Sequence, residues 1–171
     1  MVSATGMKCR LREAQKKIYV CYVTDTTEEI WRWHHNVSEC YYHIQLTVKY
    51  RKNIFTDEIE KIIVEMMRGF KERYEIEIQT VGFDKNHVHF MCRFLPKYSG
   101  GQVIRIIKSI TAKEIFRRIP SVEQWLWGGE FWSDGYYIAT VGGRGSKKTI
   151  ENYIRNQGRH TDVKQMKLFE L

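Results

Sequence analysis

Hydrophobic side chains follow two different spacings in the first half of the chain. From Tyr41 they occupy every second position, which predicts a strand with one buried face. Over residues 56–74 they recur every three or four positions, which predicts an amphipathic helix capped by Thr56. The residues that set these patterns are Tyr42, Ile44, Leu46 and Val48 in the strand and Phe55, Ile59, Ile62, Ile63, Met66 and Phe70 in the helix.

The middle of the chain predicts a hairpin followed by a second helix. Residues 75–82 and 87–95 form two antiparallel strands in this interpretation, with a turn at Asp84-Lys-Asn86. The pattern breaks after Pro96. Residues 103–119 then have helical spacing, and Pro120 ends the helix.

The last part of the chain predicts another hairpin and a final helix. Residues 130–132 and 136–141 are expected to pair, and the glycine-rich segment 142–145 links them to a helix over 147–157. The resulting order is β-α-β-β-α-β-α. It predicts an α+β fold of the ferredoxin-like, RRM-like type, an antiparallel sheet with helices on one face plus a C-terminal helix.

The N-terminal residues differ from this pattern. Residues 18–23 predict a strand, and residues 26–33 predict the opening of a helix with a Thr cap. No chemistry is evident there. We therefore divide the chain into an N-terminal extension of unknown role, residues 1–33, and a single domain, residues 34–171.

Composition and charge narrow the class of protein. The 171 residues carry 28 Lys and Arg against 20 Asp and Glu, a formal charge of +8, and nearly all of that excess lies beyond residue 40. Such a basic domain favours a polyanionic partner. The four cysteines form no C-x-x-C pair, which argues against a disulfide framework or a zinc cage. Neither a membrane-spanning run nor a signal pattern is present, so a cytoplasmic protein without a membrane partner is expected.

The motif His87-Val-His89 is the first candidate for chemistry. Residues i and i+2 of a strand share a face, so both imidazoles are expected to project together past a buried Val88. Two neutral imidazoles converge readily on a divalent ion. Taken alone, the motif is weak evidence for a metal site, because histidine pairs on strands are more often surface or hydrogen-bonded residues.

The predicted last helix supplies a second pair. Tyr153 and Gln157 are spaced i, i+4 and therefore share a helix face. The amide oxygen of Gln157 is an acceptable ligand for Mg²⁺ or Mn²⁺, and the phenol of Tyr153 is a nucleophile once activated. The alternative is that Tyr153 packs in the core and that Gln157 is polar surface.

Taken together, these segments resemble a known family, the single-tyrosine HUH transposases (TnpA type) of the insertion-sequence 200/605 group. HUH denotes a His, apolar residue, His motif. The resemblance covers about residues 34–160 in the family's order and spacing. The matching stretches are residues 35–51 (the opening strand), Val81-Gly-Phe-Asp-Lys-Asn-His-Val-His-Phe90 (the metal hairpin), residues 131–142 and Ile150-Glu-Asn-Tyr-Ile-Arg-Asn-Gln157 (the catalytic helix).

The resemblance implies a mechanism and assigns residues to it. His87, His89 and Gln157 match the metal ligands, the metal being Mg²⁺ or Mn²⁺, and Tyr153 matches the nucleophile. The family cleaves and rejoins single-stranded insertion-sequence ends through a 5′-phosphotyrosine intermediate. For this chain it implies DNA recombination in a prokaryotic cytoplasm, in association with the nucleoid.

The resemblance also implies partners. Family members are homodimers that recognise subterminal DNA hairpins, and residues 142–145 suit a hinge for the tyrosine helix. The expected phosphate contacts are Lys49, Arg51, Lys52, Arg144, Lys147 and Lys148. Candidate stacking platforms are Trp125, Trp127 and Trp132, with a core position as the alternative for each. His43 is interpreted as structural, not as a fourth ligand.

Two other functions stay open from the sequence. One is a domesticated relative, an HUH nickase acting on chromosomal palindromes. The other is a non-catalytic domain that binds single-stranded nucleic acid by stacking. The basic face of the second helix likewise leaves open whether it is solvated or contacts a polyanion; its residues are Arg105, Lys108, Lys113, Arg117 and Arg118.

Overall fold

The computed structural model of the chain describes residues 18–19, 31–33, 35–38, 40–141 and 149. Seven strands and three α-helices lie within these residues. The strands are β1 (Ile18–Tyr19), β2 (Trp31–Trp33), β3 (Asn36–Ser38), β4 (Tyr41–Thr47), β5 (Ile76–Phe83), β6 (His87–Phe94) and β7 (Tyr137–Val141). The helices are α1 (Asp57–Tyr74), α2 (Gly100–Arg118) and α3 (Ser121–Trp125).

The main sheet has the predicted ferredoxin-like topology. Its strand order is β1-β5-β6-β4-β7, and every neighbouring pair is antiparallel. From β4 to β7 the chain runs β-α-β-β-α-β, as the sequence predicts. The predicted final helix over 147–157 lies outside the described residues, apart from Thr149, which is helical.

One face of the sheet carries the hydrophobic core. Ile44 and Leu46 of β4 share a buried cluster with Phe90 of β6, Ile63 of α1 and Ile107 of α2. Both long helices therefore pack on the same face, which leaves the opposite face of β4 and β6 for other chemistry. Among the described residues, no helix is both long and apolar enough to cross a bilayer.

Side-chain caps fix where the helices begin. The hydroxyl of Thr56 accepts a hydrogen bond from the Ile59 N–H, as predicted, at 3.4 Å. Ser99 and Gln102 form a capping box, each side chain accepting from the other residue's backbone N–H. This box starts α2 at Gly100, three residues before the hydrophobic pattern begins.

A β-bulge interrupts the alternation predicted for β5. Ile78 pairs with Cys92, but Thr80 pairs with Met91, so Gln79 is the extra residue. The core positions therefore shift from Ile78 to Val81, and Thr80 faces away from the helices.

Two predicted elements are wrong. Residues 130–132 do not form a hairpin with the next strand; β7 pairs with β4, and Trp132 makes only a single bridge to Val48. The loop between them is held instead by the ammonium group of Lys108, which donates to the carbonyl oxygens of residues 133, 134 and 135 at 2.7–3.0 Å. Trp31–Trp33 is a strand paired with Asn36–Ser38, not part of a helix.

The three tryptophans proposed as stacking platforms separate into two classes. Trp125 and Trp127 are exposed, whereas Trp132 is only 5% exposed. The Trp132 indole N–H donates to the Thr111 hydroxyl at 2.9 Å, and its ring contacts Phe131 at a centroid distance of 4.7 Å. Trp132 is therefore a core residue, and the stacking hypothesis is wrong for it.

Replacing Trp132 by Ala should lower the free energy of unfolding by about 3–5 kcal/mol, because it removes a buried ring and leaves the Thr111 hydroxyl without its donor. Trp127→Ala is the matched control and should change stability by less than about 0.5 kcal/mol. Urea denaturation followed by far-UV circular dichroism measures both. Equal midpoints for the two variants would contradict the core assignment.

Candidate active site

The two predicted histidines lie together on the sheet face opposite α1 and α2. His87 and His89 belong to β6, and Val88 between them is fully buried in the core. The imidazole centroids are 4.9 Å apart, with the rings nearly perpendicular. The expected projection of both rings to one side is confirmed.

A third histidine joins this pair from β4. Gln45 is the register partner of His89, which places His43 two residues along β4 on the same face. The His43 Nε2 atom lies 2.9 Å from His89 Nδ1, and the two rings are stacked with centroids 5.2 Å apart. The ring of Tyr137 from β7 meets His43 edge-on at 5.6 Å.

Burial controls the protonation of His43. The side chain is almost inaccessible, and desolvation lowers its pKa to about 4. At neutral pH His43 is therefore uncharged and carries one N–H and one lone pair. When its Nε2 accepts the proton of His89 Nδ1, the lone pair of His89 is on Nε2.

His87 is held by the turn that precedes it. Its Nδ1 lies 2.9 Å from the side-chain oxygen of Asn86, and its Nε2 is 3.7 Å from a carboxylate oxygen of Asp84. The Asp84 N–H donates to the His87 carbonyl at 2.8 Å, which closes the turn. Each imidazole of the pair thus has its Nδ1 engaged by a neighbouring side chain.

This donor set fits a divalent metal ion in part. Metal-bound imidazoles commonly have their second nitrogen held by a hydrogen bond, as both Nδ1 atoms are here. Within the described residues, however, no group of three or more His, Cys, Asp or Glu side chains is arranged to hold an ion. The remaining predicted ligand, Gln157, and the predicted nucleophile, Tyr153, lie outside the described residues.

The basic residues at the end of β4 have different roles. The Lys49 ammonium pairs with Glu130 and lies 3.6 Å from Asp134, and the hydrogen bond to Glu130 raises its pKa. Lys49 is thus charge-compensated, whereas Arg51 and Lys52 are exposed. The other predicted phosphate contacts, Arg144, Lys147 and Lys148, lie outside the described residues.

The basic face of α2 is largely engaged within the fold. Lys108 holds the loop before β7, and Arg117 and Arg118 both bond to Glu114. These two arginines lower the pKa of Glu114 to about 2. Neither alternative, a solvated face or a polyanion contact, describes these three residues, because Lys108, Arg117 and Arg118 are bonded within the fold.

Sequence reasoning misses one contact of this site. It interprets His43 as structural but gives it no partner, because the bond to His89 depends on the pairing of two strands that are distant in sequence. The alternation of His43, Gln45 and Thr47 opposite the hydrophobic face of β4 is the signal that could have revealed it.

Comparisons with known proteins match this architecture to one family. The sequence profile of the family described as "Transposase IS200 like" matches residues 36–157. The ISDra2 transposase TnpA of Deinococcus radiodurans is 27% identical over 116 residues, which cover 68% of this chain and 82% of that protein. The transposase for insertion sequence element IS200 of Salmonella typhimurium is 27% identical over 123 residues, 72% of this chain and 80% of that one.

Solved structures share the fold. A crystal structure of a protein from Deinococcus radiodurans R1 aligns with a TM-score of 0.60 at 24% identity and covers 74% of this chain and 97% of that one. The REP-associated tyrosine transposase bound to a REP hairpin aligns with a TM-score of 0.50 at 11% identity, over 76% of this chain and 72% of that one.

The matching family implies an enzyme of DNA cleavage and strand transfer. The chain belongs to the IS200-like transposase family, whose profile spans most of its length. The family resemblance and the fold expected from the sequence are both confirmed.

His43 should remain neutral well below the usual titration range of histidine, because its pKa lies near 4 in the folded protein against about 6.5 in the unfolded chain. Between about pH 5 and pH 7 its ring resonances should not move. NMR titration of the folded protein measures this, with the urea-unfolded chain as the reference. A midpoint near 6.5 in the folded state would contradict the burial argument.

Proposed function

We propose that the protein is a metal-dependent transposase that cleaves and rejoins single-stranded insertion-sequence ends through a 5′-phosphotyrosine intermediate. The observation that carries this proposal is the pair His87 and His89, set side by side on the sheet face opposite α1 and α2 in a fold of the IS200-like family. The Nδ1 atoms are already engaged, so the pair is prepared to bind through Nε2.

The metal ligands in this proposal are His87, His89 and Gln157. Bound Mg²⁺ or Mn²⁺ would polarise the scissile phosphate and neutralise charge that develops on its oxygens. The imidazoles supply neutral nitrogen donors and Gln157 an amide oxygen, so the ligand set adds no negative charge near the phosphate.

The nucleophile is Tyr153. Its hydroxyl oxygen loses its proton and forms a bond to phosphorus, and the bond from phosphorus to the 3′ oxygen breaks. That oxygen takes up a proton and leaves as a free 3′-OH, while the 5′ phosphate stays on Tyr153. A 3′-OH that attacks this linkage restores a phosphodiester, so strands are exchanged without an external energy source.

Phosphate contacts hold the strand at this site. We assign these contacts to Arg51, Lys52, Arg144, Lys147 and Lys148. Lys49 instead stabilises the turn after β4 through its ion pair with Glu130. Single-stranded DNA with subterminal hairpins is the proposed substrate, which is compatible with the REP hairpin bound to one of the structural neighbours. Since two ends must be processed together, the proposed working form is a homodimer.

The first test of this proposal is the covalent intermediate. With Mg²⁺ or Mn²⁺ and labelled single strands from the ends of the element that encodes the protein, the wild type should form an adduct that survives denaturing electrophoresis. Tyr153→Phe should reduce the adduct at least about 1,000-fold, because the nucleophilic oxygen is absent.

Tyr136→Phe is the matched control, since it removes a phenol oxygen elsewhere on the surface and should leave the adduct unchanged. An adduct formed by Tyr153→Phe, or one formed equally well in EDTA, would contradict the proposal. The latter result would favour chemistry that does not involve the histidine pair.

The second test concerns the support that His43 gives to His89. His43→Leu removes the hydrogen-bond partner of His89 Nδ1 and should weaken Mn²⁺ binding about 10–100-fold. His43→Gln offers an acceptor in a side chain of similar reach and should recover most of that affinity. Electron paramagnetic resonance of free Mn²⁺ measures binding without DNA, and equal affinity of wild type and His43→Leu would contradict the role.

A further inference from the structure

The turn that follows β4 has an unusual backbone. Tyr50 and Arg51 are consecutive non-glycine residues with positive φ angles of 56° and 51°. Side chains in this left-handed region clash with their own backbone, so such residues persist only where the surroundings impose the conformation. Strained positions of this kind cluster at functional sites.

Hydrogen bonds of the residues on both sides of Tyr50 impose this left-handed conformation. The Lys49 N–H donates to the Phe131 carbonyl at 2.9 Å, and the Arg51 N–H donates to the Val48 carbonyl at 2.9 Å. The Lys49 side chain pairs with Glu130, so the turn is anchored through backbone and side chain alike. The backbone that carries Tyr50 is thereby held in one conformation.

The side chain that this anchored turn presents is exposed. Tyr50 is 59% exposed, and the Lys49 ammonium lies 5.9 Å from the centre of its ring. Arg51 and Lys52 beside it are exposed as well. An open aromatic ring flanked by cations matches the chemistry of single-stranded DNA, in which each base has a face for stacking and each nucleotide a phosphate.

The turn is adjacent to the histidine pair. Thr47 is the register partner of His87, and the Val48 N–H donates to the Asn86 carbonyl at 2.9 Å. Tyr50 follows Thr47 by three residues, at most about 11 Å of extended chain. A strand whose phosphate lies at the histidines therefore has neighbouring bases within reach of the Tyr50 ring.

We propose that Tyr50 is a stacking residue for a base of the single strand next to the scissile phosphate, with Arg51 and Lys52 on the flanking phosphates. This inference rests on the proposed function, since it names how that site holds its substrate. The left-handed backbone of the turn directs the ring outward at the expense of local stability.

The test separates stability from binding. Tyr50→Gly removes the backbone strain at this position, so the melting temperature should rise by about 3 °C. The same change should weaken binding of a fluorescein-labelled oligothymidylate of about 20 nucleotides roughly tenfold, because the ring is lost. Tyr50→Phe keeps the ring and should bind like wild type, and Tyr50→Asn, which tolerates this backbone, should bind as weakly as Tyr50→Gly.

Glu75→Gly is the matched control. Glu75 is the other non-glycine residue with positive φ among those described, at 57°, and it lies at the end of α1. Its replacement should also raise the melting temperature but leave oligothymidylate binding unchanged. Wild-type affinity in Tyr50→Gly or Tyr50→Asn would overturn the inference, as would an equal loss of affinity in Glu75→Gly.

Failure of this inference is distinguishable from failure of the proposed function. If wild type forms the covalent adduct while Tyr50→Gly binds DNA normally, only the stacking role is wrong. If wild type forms no adduct but Tyr50→Gly binds poorly, the stacking role stands and the transposition chemistry fails.

Discussion

The antiparallel register between β4 and β6 is the constraint on which the candidate site depends. It sets Gln45 opposite His89 and Thr47 opposite His87, and so places three histidines on one face of the sheet. A slip of one residue would turn every side chain of the slipped strand to the other face. The hydrophobic residues that alternate with the histidines of β6, Val88 and Phe90, prevent that slip because they are buried in the core against the helices. Core packing thus positions the chemistry on the opposite surface.

Much of this arrangement could be predicted because it is local in sequence. The spacing of His87 and His89 within one strand is sufficient to put both rings on one side, and the polar turn before them closes the hairpin. In the β-α-β-β-α-β order each helical connection crosses over one intervening strand, from β4 over β6 to β5 and from β6 over β4 to β7, which gives the ferredoxin-like sheet topology. Thr56 similarly marks the start of α1 through its cap.

The failures arise where long-range packing overrides local pattern. His43 meets His89 only through the pairing of β4 with β6, 46 residues apart; the alternation within β4 indicates the face on which His43 lies but not its partner. Residues 130–132 have strand-like composition, yet Trp132 is buried in the core and Lys108 binds the carbonyls of residues 133–135, so the chain before β7 forms a loop. The bulge at Gln79 could not be predicted from the sequence either, because Ile76, Ile78 and Thr80 alternate there without a break and only the pairing with β6 shows the extra residue.

The ion pair of Lys49 with Glu130 changes how the neighbouring turn responds to its ionic surroundings. A cation that contacts a phosphate releases counterions from the nucleic acid. For single strands, each such contact makes the slope of log affinity against log salt concentration steeper by about 0.7. Lys49 already has its counterion within the protein. In the proposed complex only Arg51 and Lys52 of this turn would take part in the exchange. The affinity that the turn contributes would therefore fall less steeply with rising ionic strength than three uncompensated basic residues would require.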